Sequence, residues 1–225
     1  MLEITHFETY GWDGAMRGMR NSRQSWEKSD TGHCGTDFLG RTVWVVGDND
    51  LQLATILAAK GGSHAKFRRM IHVQMDILAP LYWWKEFDTY KVGTVANSTS
   101  TMYSIMNKQF DISDFSIAEY SSAQAGMHMI STINVLNELR DLYLQEDRKE
   151  FKKMYWQDVI GILPSSYNQL RTVDMNYEVI ANIYNQRKNH KLKEWRTFCK
   201  IMIEKCPYSN ELILPLFCTT VAQEE

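Results

Sequence analysis

The sequence predicts an α/β or α+β domain in which helices pack on a small sheet. Several segments repeat apolar residues at the spacing of a helix face, and one segment alternates apolar and polar residues as a half-buried strand does. Capping and turn residues separate these segments. The chain has 225 residues, of which 44% are apolar, so we expect a single domain over residues 1–225 with a core of its own.

The first sixty residues combine an irregular segment with one clear helix. Residues 1–42 are expected to be largely irregular, with room for one short helix, because residues 8–42 are rich in Gly, Ser, Asp and Arg. Three arginines recur there every third residue, and they are either exposed charges or a helical stripe facing an anion: Arg17, Arg20 and Arg23. Residues 48–60 predict a helix that Asp48 or Asp50 caps and Gly61-Gly62 ends.

The middle of the chain changes from the period of a helix to that of a strand. Residues 71–77 alternate apolar and polar side chains and predict a strand that Pro80 ends. Residues 81–90 carry aromatic side chains at helical spacing, including Trp83 and Trp84, and predict a short buried helix. Residues 97–101 are polar and predict a loop or a capped helix start.

Helices dominate the second half. The spacing of apolar residues, together with Gly161, Pro164 and Pro207 as boundaries, predicts four of them. Their expected ranges are 130–144, 148–160, 176–186 and 192–204.

Composition and charge argue against several classes of function. The formal net charge is −2, so no long-range attraction to nucleic acid or to an anionic membrane is expected. The chain contains four cysteines: Cys34, Cys199, Cys206 and Cys218. They form no Cys-x-x-Cys pair and have no histidine at ligand spacing, so we expect reduced thiols and no metal site. We see no leader peptide in the sequence and no apolar run as long as the ~20 residues needed to span a bilayer. Both observations favour a cytoplasmic protein.

The general catalytic motifs are absent from the sequence. There is no dinucleotide-binding glycine pattern, no Walker loop, no His-Glu-x-x-His and no nucleophile elbow. The segment Gly61-Gly62-Ser63-His64 follows a predicted helix and not a strand, so it is not a phosphate loop of the usual kind.

One spacing is more informative. Leu163 of a Leu-Pro pair is followed at offsets of thirteen, six and five residues by Asn176, Asn182 and Arg187. This pattern resembles the nucleotide- and flavin-binding helix of the flavin-dependent thymidylate synthases. The resemblance extends over roughly residues 15–212 and includes Gly62-Ser63-His64, which is similar to the family's Gly-His after its first long helix.

The family's Arg-His-Arg signature is only partly present. Asn97, Ser100 and Tyr103 occupy its Asn, second Ser and Tyr positions, whereas Ser98 replaces its glutamate and Met102 its last arginine. The Arg-His-Arg triplet itself is replaced either by Tyr90-Lys91-Val92 or, with one inserted residue, by Thr89-Tyr90-Lys91. The second alignment puts Lys85 and Glu86 at a preceding Arg-Gln pair. Phosphate-facing guanidiniums of the family are thus missing, and lysine does not replace the bidentate fork of arginine.

The resemblance implies a thymidylate synthase-complementing-protein-like fold, with helices on a small mixed sheet, assembled as a homotetramer with sites between subunits. It implies FAD as cofactor, NADPH and methylenetetrahydrofolate as co-substrates, and a pyrimidine deoxynucleotide of the deoxyuridylate type as substrate. Arg187 would polarise the pyrimidine as the catalytic residue. The remaining candidates are Asn182, His64, Lys91 and Asn97 for the cofactor, and Ser98, Ser100, Lys85 and Glu86 with Arg187 for the nucleotide.

Each candidate also has a structural interpretation. Arg187 could be a solvated or paired arginine, Asn97 to Thr101 a turn and helix cap, and His64 a structural residue. Trp83 and Trp84 are expected in the core, and Arg68-Arg69 is either a solvated edge or the complement of an anion. The alternative function is a non-catalytic nucleotide-binding protein, sensing or sequestering, that kept the fold but lost flavin chemistry. A third possibility is a related enzyme that acts on another pyrimidine nucleotide.

Overall fold

A computed structural model describes residues 1–36, 40, 42–117 and 122–214 of the chain. The helices of this part are α1 Trp12–Arg20, α2 Asp48–Lys60, α3 Leu81–Phe87, α4 Thr101–Ser104, α5 Ala123–Gln145, α6 Lys149–Ile162, α7 Tyr177–Arg187, α8 Lys193–Lys205 and α9 Ser209–Leu212. The strands are β1 Glu3–Tyr10, β2 Gly32–Thr36, β3 Thr42–Val45, β4 His72–Pro80, β5 Thr94–Ser98 and β6 Asn168–Asn176. Short 3₁₀ helices lie at Asn21–Arg23, Trp26–Lys28, His64–Met70 and Ile112–Asp114.

The strands form two sheets. One is a small antiparallel sheet with the strand order β1-β4-β6-β5, and the other is the antiparallel pair of β2 and β3. In β4 the side chains from His72 to Ala79 alternate between half-buried and buried, which is the pattern of a strand with one face against a core.

The chain divides into two compact units, of which the first comprises residues 1–5, 76–89 and 96–172. Within it α5 packs against α6. The core of this unit is formed by Ile105, Met106, Phe110, Phe115, Ile133, Leu136 and Val159. Trp83 and Trp84 are also buried, at 0% and 1% exposure, so their prediction as core residues is confirmed.

The second unit comprises residues 6–75, 90–95 and 173–225, which includes α1, α2, α7, α8 and the 3₁₀ helix His64–Met70. Apolar side chains of α7 and α8 are fully buried in it: Tyr177, Ile180, Ile183, Trp195, Phe198 and Met202. Because buried apolar surface is the main stabilising term in folding, this packing fixes α7 in place and leaves its polar side to face other parts of the unit.

Predicted and observed elements agree best where periodicity is strong. Helix α2 has the predicted bounds, and α6, α7 and α8 agree to within two residues. The N-terminal segment contains the short helix that was allowed for, α1, but also the strands β1 and β2, so it is less irregular than expected.

The start of α2 differs in detail from the prediction. Neither Asp48 nor Asp50 caps it, because the carboxylate of Asp30 accepts hydrogen bonds from the backbone N–H groups of Asn49 (2.9 Å) and Asp50 (3.0 Å). The Asp50 side chain is instead fully buried and pairs with Arg20 at 2.5 Å. Arg20 is therefore a core residue, 3% exposed, and not part of an exposed or anion-facing stripe.

Two further properties of the described residues bear on function. Cys199 and Cys206 are buried, Cys34 is exposed, and none of the three is in a disulfide; Cys218 lies outside the described residues. Burial raises the pKa of both buried thiols to about 12. For Cys199 the positive charges of Arg187 and Lys188 act to lower the pKa, but burial outweighs them. Within the described ranges, no helix has the length and apolar character that crossing a membrane requires.

Candidate functional site

A cavity of about 700 Å³ opens beside α7 in the second unit, and we refer to it as the α7 cavity. Its lining comes from the end of α2, the 3₁₀ helix His64–Met70, the segment before β5, the residue before α7, α7 itself and the residue after α9. The lining residues are Ala58, Ala59, Gly61, Arg68, Arg69, Val92, Gly93, Asn176, Glu178, Val179, Ala181, Asn182, Asn185 and Ile213.

Helix α7 presents one polar face to this cavity. Glu178, Asn182 and Asn185 are four and three residues apart, and that spacing places them on one side of a helix. Asn176 starts the helix, because its Oδ1 accepts the backbone N–H of Val179 at 3.1 Å. The buried face of α7 carries Ile180 and Ile183, so the amide-rich face is the one left for a ligand.

Two guanidiniums from the 3₁₀ helix His64–Met70 also line the cavity, those of Arg68 and Arg69. Arg69 donates from Nε and from Nη2 to the carboxylate of Glu178, the second bond measuring 3.1 Å. The hydrogen bond from Arg69 lowers the pKa of Glu178 below its ordinary value, and it outweighs burial, which acts to raise this pKa. Burial lowers the pKa of Arg68. The negative charge of Glu178 acts to raise this pKa and offsets only part of the shift. The charged groups of the cavity are thus two arginines and one glutamate.

Gly93 allows the chain to pass close to Asn176. Its φ is +78°, in the region that glycine adopts without strain. A Cβ at this position would lie 2.5 Å from Nδ2 of Asn176 and 3.2 Å from Cγ2 of Val179. The backbone carbonyl of Gly93 also accepts the N–H of Asn176 at 3.4 Å. The glycine therefore shapes the cavity at the start of α7.

We expect Gly93→Ala to lower the free energy of unfolding by about 2–4 kcal/mol, as the sum of backbone strain and of a displaced helix cap. Gly62→Ala is the matched control, since Gly62 also has a positive φ (+51°) but a methyl group there would meet no atom within 4 Å. Urea unfolding of both variants measures the difference. Equal losses of unfolding free energy in the two variants would show that the Asn176 side chain moves aside at no cost in free energy.

A chain of hydrogen bonds links the cavity wall to Arg187. Gln186 Nε2 donates to Asn182 Oδ1 at 2.8 Å, and Tyr90 Oη donates to Gln186 Oε1 at 3.0 Å. Arg187 Nε in turn donates to Tyr90 Oη at 2.8 Å. Because the Asn182 oxygen is engaged by Gln186, its NH₂ group is the part left to bind an acceptor atom of a ligand.

Arg187 itself does not line the α7 cavity. It stands five residues after Asn182, which is about 140° around the helix axis. Its guanidinium carbon lies 4.9 Å from the centre of the Trp195 ring and 5.7 Å from that of Tyr90, within the range of cation–π contact. The structure links Arg187 to Asn182 through Tyr90 and Gln186.

The remaining candidates lie in several elements. His64 begins the turn that carries Arg68 and Arg69, and Lys91 directly precedes Val92 of the lining; both are exposed and neither lines the cavity.

In the first unit, Asn97 and Ser98 are exposed on β5, and Lys85 and Glu86 lie on α3. Ser100 caps α4, accepting the N–H groups of Met102 (3.2 Å) and Tyr103 (3.1 Å). Among the described residues no three His, Cys, Asp or Glu side chains are grouped as metal ligands.

Sequence reasoning did not find Glu178, Asn185, Gln186 or Tyr90 as part of this site. The asparagine spacing of α7 was the available signal for Asn185, three residues beyond Asn182 on the same face. Nothing in the local sequence signals that Tyr90 and Gln186 meet, because they are far apart along the chain.

No protein-family model matches the chain, and no curated protein matches it in sequence. Two solved structures of the flavin-dependent thymidylate synthase ThyX from Helicobacter pylori, each with FAD and dUMP, are similar to it. One has a TM-score of 0.68 and covers 95% of this chain and 98% of that chain; the other has a TM-score of 0.66 and covers 95% and 97%. The identity is 16% in both cases. This likeness shows that the chain has the ThyX fold, and it confirms the fold class predicted from the sequence.

Proposed function

We propose that this chain is a flavin-dependent thymidylate synthase-like protein that binds FAD and a pyrimidine deoxynucleotide. The observation that carries the proposal is the α7 cavity. It lies on the helix where the Asn176–Asn182–Arg187 spacing predicted a ligand site, in a fold shared over nearly the whole length of two chains that bind FAD and dUMP.

The lining fits such ligands chemically. Asn176, Asn182 and Asn185 offer carboxamides to the polar edge of a flavin or pyrimidine ring. The oxygens of Asn176 and Asn182 already accept hydrogen bonds within the chain, so these two residues offer their NH₂ groups as donors. Arg68 and Arg69 offer cationic N–H donors for phosphate. The Nε of Arg68 is buried and has no hydrogen-bond partner among the described residues, and buried donors normally have one.

In this proposal Asn182 holds the flavin through its free NH₂ group, with His64, Lys91 and Asn97 as further cofactor-binding residues. Ser98, Ser100, Lys85 and Glu86 bind the nucleotide, and Arg187 polarises the pyrimidine. FAD held by these residues and reduced by NADPH would supply hydride-transfer chemistry for converting a folate-derived methylene into a methyl group. The residues of the chain contribute orientation, charge and exclusion of water.

The proposal includes a homotetramer with sites between subunits. Exposed apolar side chains on α5 support an assembly of this kind, among them Met127 at 65% and Ile130 at 56% exposure. Apolar groups left in water on one helix are typical of a surface that a partner covers.

A second candidate function is nucleotide binding without flavin chemistry. Arg187 favours it, because its guanidinium is held by Tyr90 and lies over Trp195 and does not line the cavity. Tyr90 and Lys91 stand in the segment that corresponds to the family's Arg-His-Arg triplet, so one replacement residue now holds the arginine that the reaction would use.

The test is uptake of FAD by the purified full chain, followed by visible absorbance and by titration. We expect Asn182→Ala to weaken FAD binding about tenfold, a loss of one hydrogen bond worth about 1.4 kcal/mol. Asn189→Ala is the control, since Asn189 is exposed and lies outside the lining. Protein that takes up no FAD at all would overturn the proposal.

Activity separates the two candidates. Protein with FAD, NADPH, methylenetetrahydrofolate and dUMP should form dTMP if the first holds. Protein that is stabilised by dUMP in thermal unfolding, but forms no dTMP, would instead support the second.

A further inference from the structure

The charges that line the α7 cavity do not balance. Two arginines, Arg68 and Arg69, face one carboxylate, that of Glu178, and the other lining residues are neutral. One positive charge therefore remains in a partly enclosed space, where a charge interacts more strongly than in open water. A cavity of this kind favours an anionic ligand.

Arg68 is the less satisfied of the two arginines. Its Nη1 donates to the backbone carbonyl of Leu212 at 3.2 Å, which ties the side chain down at one end. Its Nε is buried without a hydrogen-bond partner in the described part of the chain. A buried donor without an acceptor costs free energy comparable to its desolvation, so an anion that reached this guanidinium would gain that free energy back.

Arg69 is held in place by Glu178. The carboxylate engages Nε and Nη2, and the two Nη1 protons of the fork remain for another acceptor. The Arg69 side chain is 57% exposed and that of Glu178 27%. The pair thus orients one guanidinium at the cavity and at the same time supplies a competing anion next to it.

We propose that Arg68 and Arg69 form a phosphate subsite of the α7 cavity, which binds a phosphate or diphosphate group of the ligand. The nature of the whole ligand rests on the proposed function; the subsite itself rests on the two guanidiniums. Arginine suits this role because its planar fork makes two parallel bonds to phosphate oxygens. The two residues supply cationic donors in a chain that has no Arg-His-Arg triplet between Thr89 and Val92.

Glu178 sets the affinity of this subsite. A bound phosphate shares Arg69 with the carboxylate and lies close to its negative charge. Removing that charge without changing the shape, as in Glu178→Gln, should tighten phosphate binding. A residue that only supported the fold would not produce a gain of affinity on substitution.

The experiment is calorimetric titration of the full chain with inorganic pyrophosphate and, in parallel, with FAD and riboflavin. We expect Arg68→Gln and Arg69→Gln to weaken pyrophosphate and FAD at least tenfold and riboflavin little, because riboflavin has no phosphate. Glu178→Gln should bind pyrophosphate at least threefold more tightly. Arg17→Gln is the control for loss of one positive charge, since Arg17 is exposed on α1.

Circular dichroism checks that each variant is folded. If Arg68→Gln fails to fold, Arg69→Gln and Glu178→Gln carry the test, because the Arg69 side chain is largely exposed. FAD and pyrophosphate affinities that are the same in these variants as in the parent would overturn the subsite and leave the proposed function standing. Arginine-dependent pyrophosphate binding without any FAD uptake would support the subsite and overturn the flavin proposal. Binding of neither would overturn both.

Discussion

Replacing Asp50 by asparagine is expected to lower the free energy of unfolding by about 3–5 kcal/mol, the range for a buried ion pair that loses one partner. The Asp50 side chain is fully buried, and its Oδ1 lies 2.5 Å from Nε of Arg20, which is 4% exposed. Its Oδ2 accepts from Ser29 Oγ at 2.7 Å and from the N–H of Thr31 at 3.0 Å. The variant would leave the Arg20 charge buried without its counter-ion.

Thermal unfolding measures this loss, which corresponds to a fall in Tm on the order of 10 °C for a chain of this size. Asp48→Asn is the matched control, because Asp48 lies in the same first turn of α2 and is exposed. A shift as small as that of the control would mean that the Arg20–Asp50 pair contributes little to folding.

Acid should have a related effect. Burial raises the pKa of Asp50, but hydrogen bonds from Thr31, Ser29 and Arg20 outweigh it, so the pKa lies below its ordinary value. A carboxyl group with a lowered pKa stabilises the fold above its unfolded pKa of about 4, and this contribution is lost as the pH falls through the folded pKa. Unfolding free energies at pH 7 and pH 3 should therefore differ less for Asp50→Asn than for the parent chain.

Gly11→Ala is expected to destabilise the protein by a similar amount, about 3–5 kcal/mol, through backbone strain and overpacking together. Gly11 has a φ of +89°, and a Cβ there would lie 2.0 Å from the carbonyl oxygen of Met70. A backbone oxygen cannot rotate away as the end of a side chain can. Met70 ends the turn that carries Arg68 and Arg69, so the variant should also weaken pyrophosphate binding.

Gly14→Ala is the control within α1. A Cβ at Gly14 would meet only Cε of Met70, at 3.5 Å, which is an ordinary contact. Alanine also favours a helix interior over glycine by about 0.5–1 kcal/mol, so this variant should be neutral or slightly stabilising in urea unfolding. A Gly11→Ala protein as stable as Gly14→Ala would show that the chain near Met70 adjusts freely.

The sequence predicted α2 and β4 well because each has one strong periodicity and clear end signals. It did not predict β6, since this strand begins with buried polar residues that break the apolar alternation. Asn168 and Gln169 are each 8% exposed and are satisfied by Ser116 Oγ (2.6 Å) and the carbonyl of Thr99 (2.8 Å). Such partners are distant in sequence, so no local pattern could reveal them.

The same limit applies to the site. Offsets along α7 pointed to the helix on which the cavity lies, and Asn176 and Asn182 line it. They could not show which way Arg187 faces, because that depends on Tyr90 and Trp195 beside it. The roles assigned to Arg187, His64 and Lys91 remain predictions.

The burial of Cys199 and Cys206 determines the order in which the thiols react with oxidants. A thiol reacts as its thiolate, and groups whose pKa is about 12 form almost none near neutral pH. Peroxide or an alkylating reagent would therefore modify Cys34 on its exposed strand before either of these two, and would reach them only in molecules that had already opened.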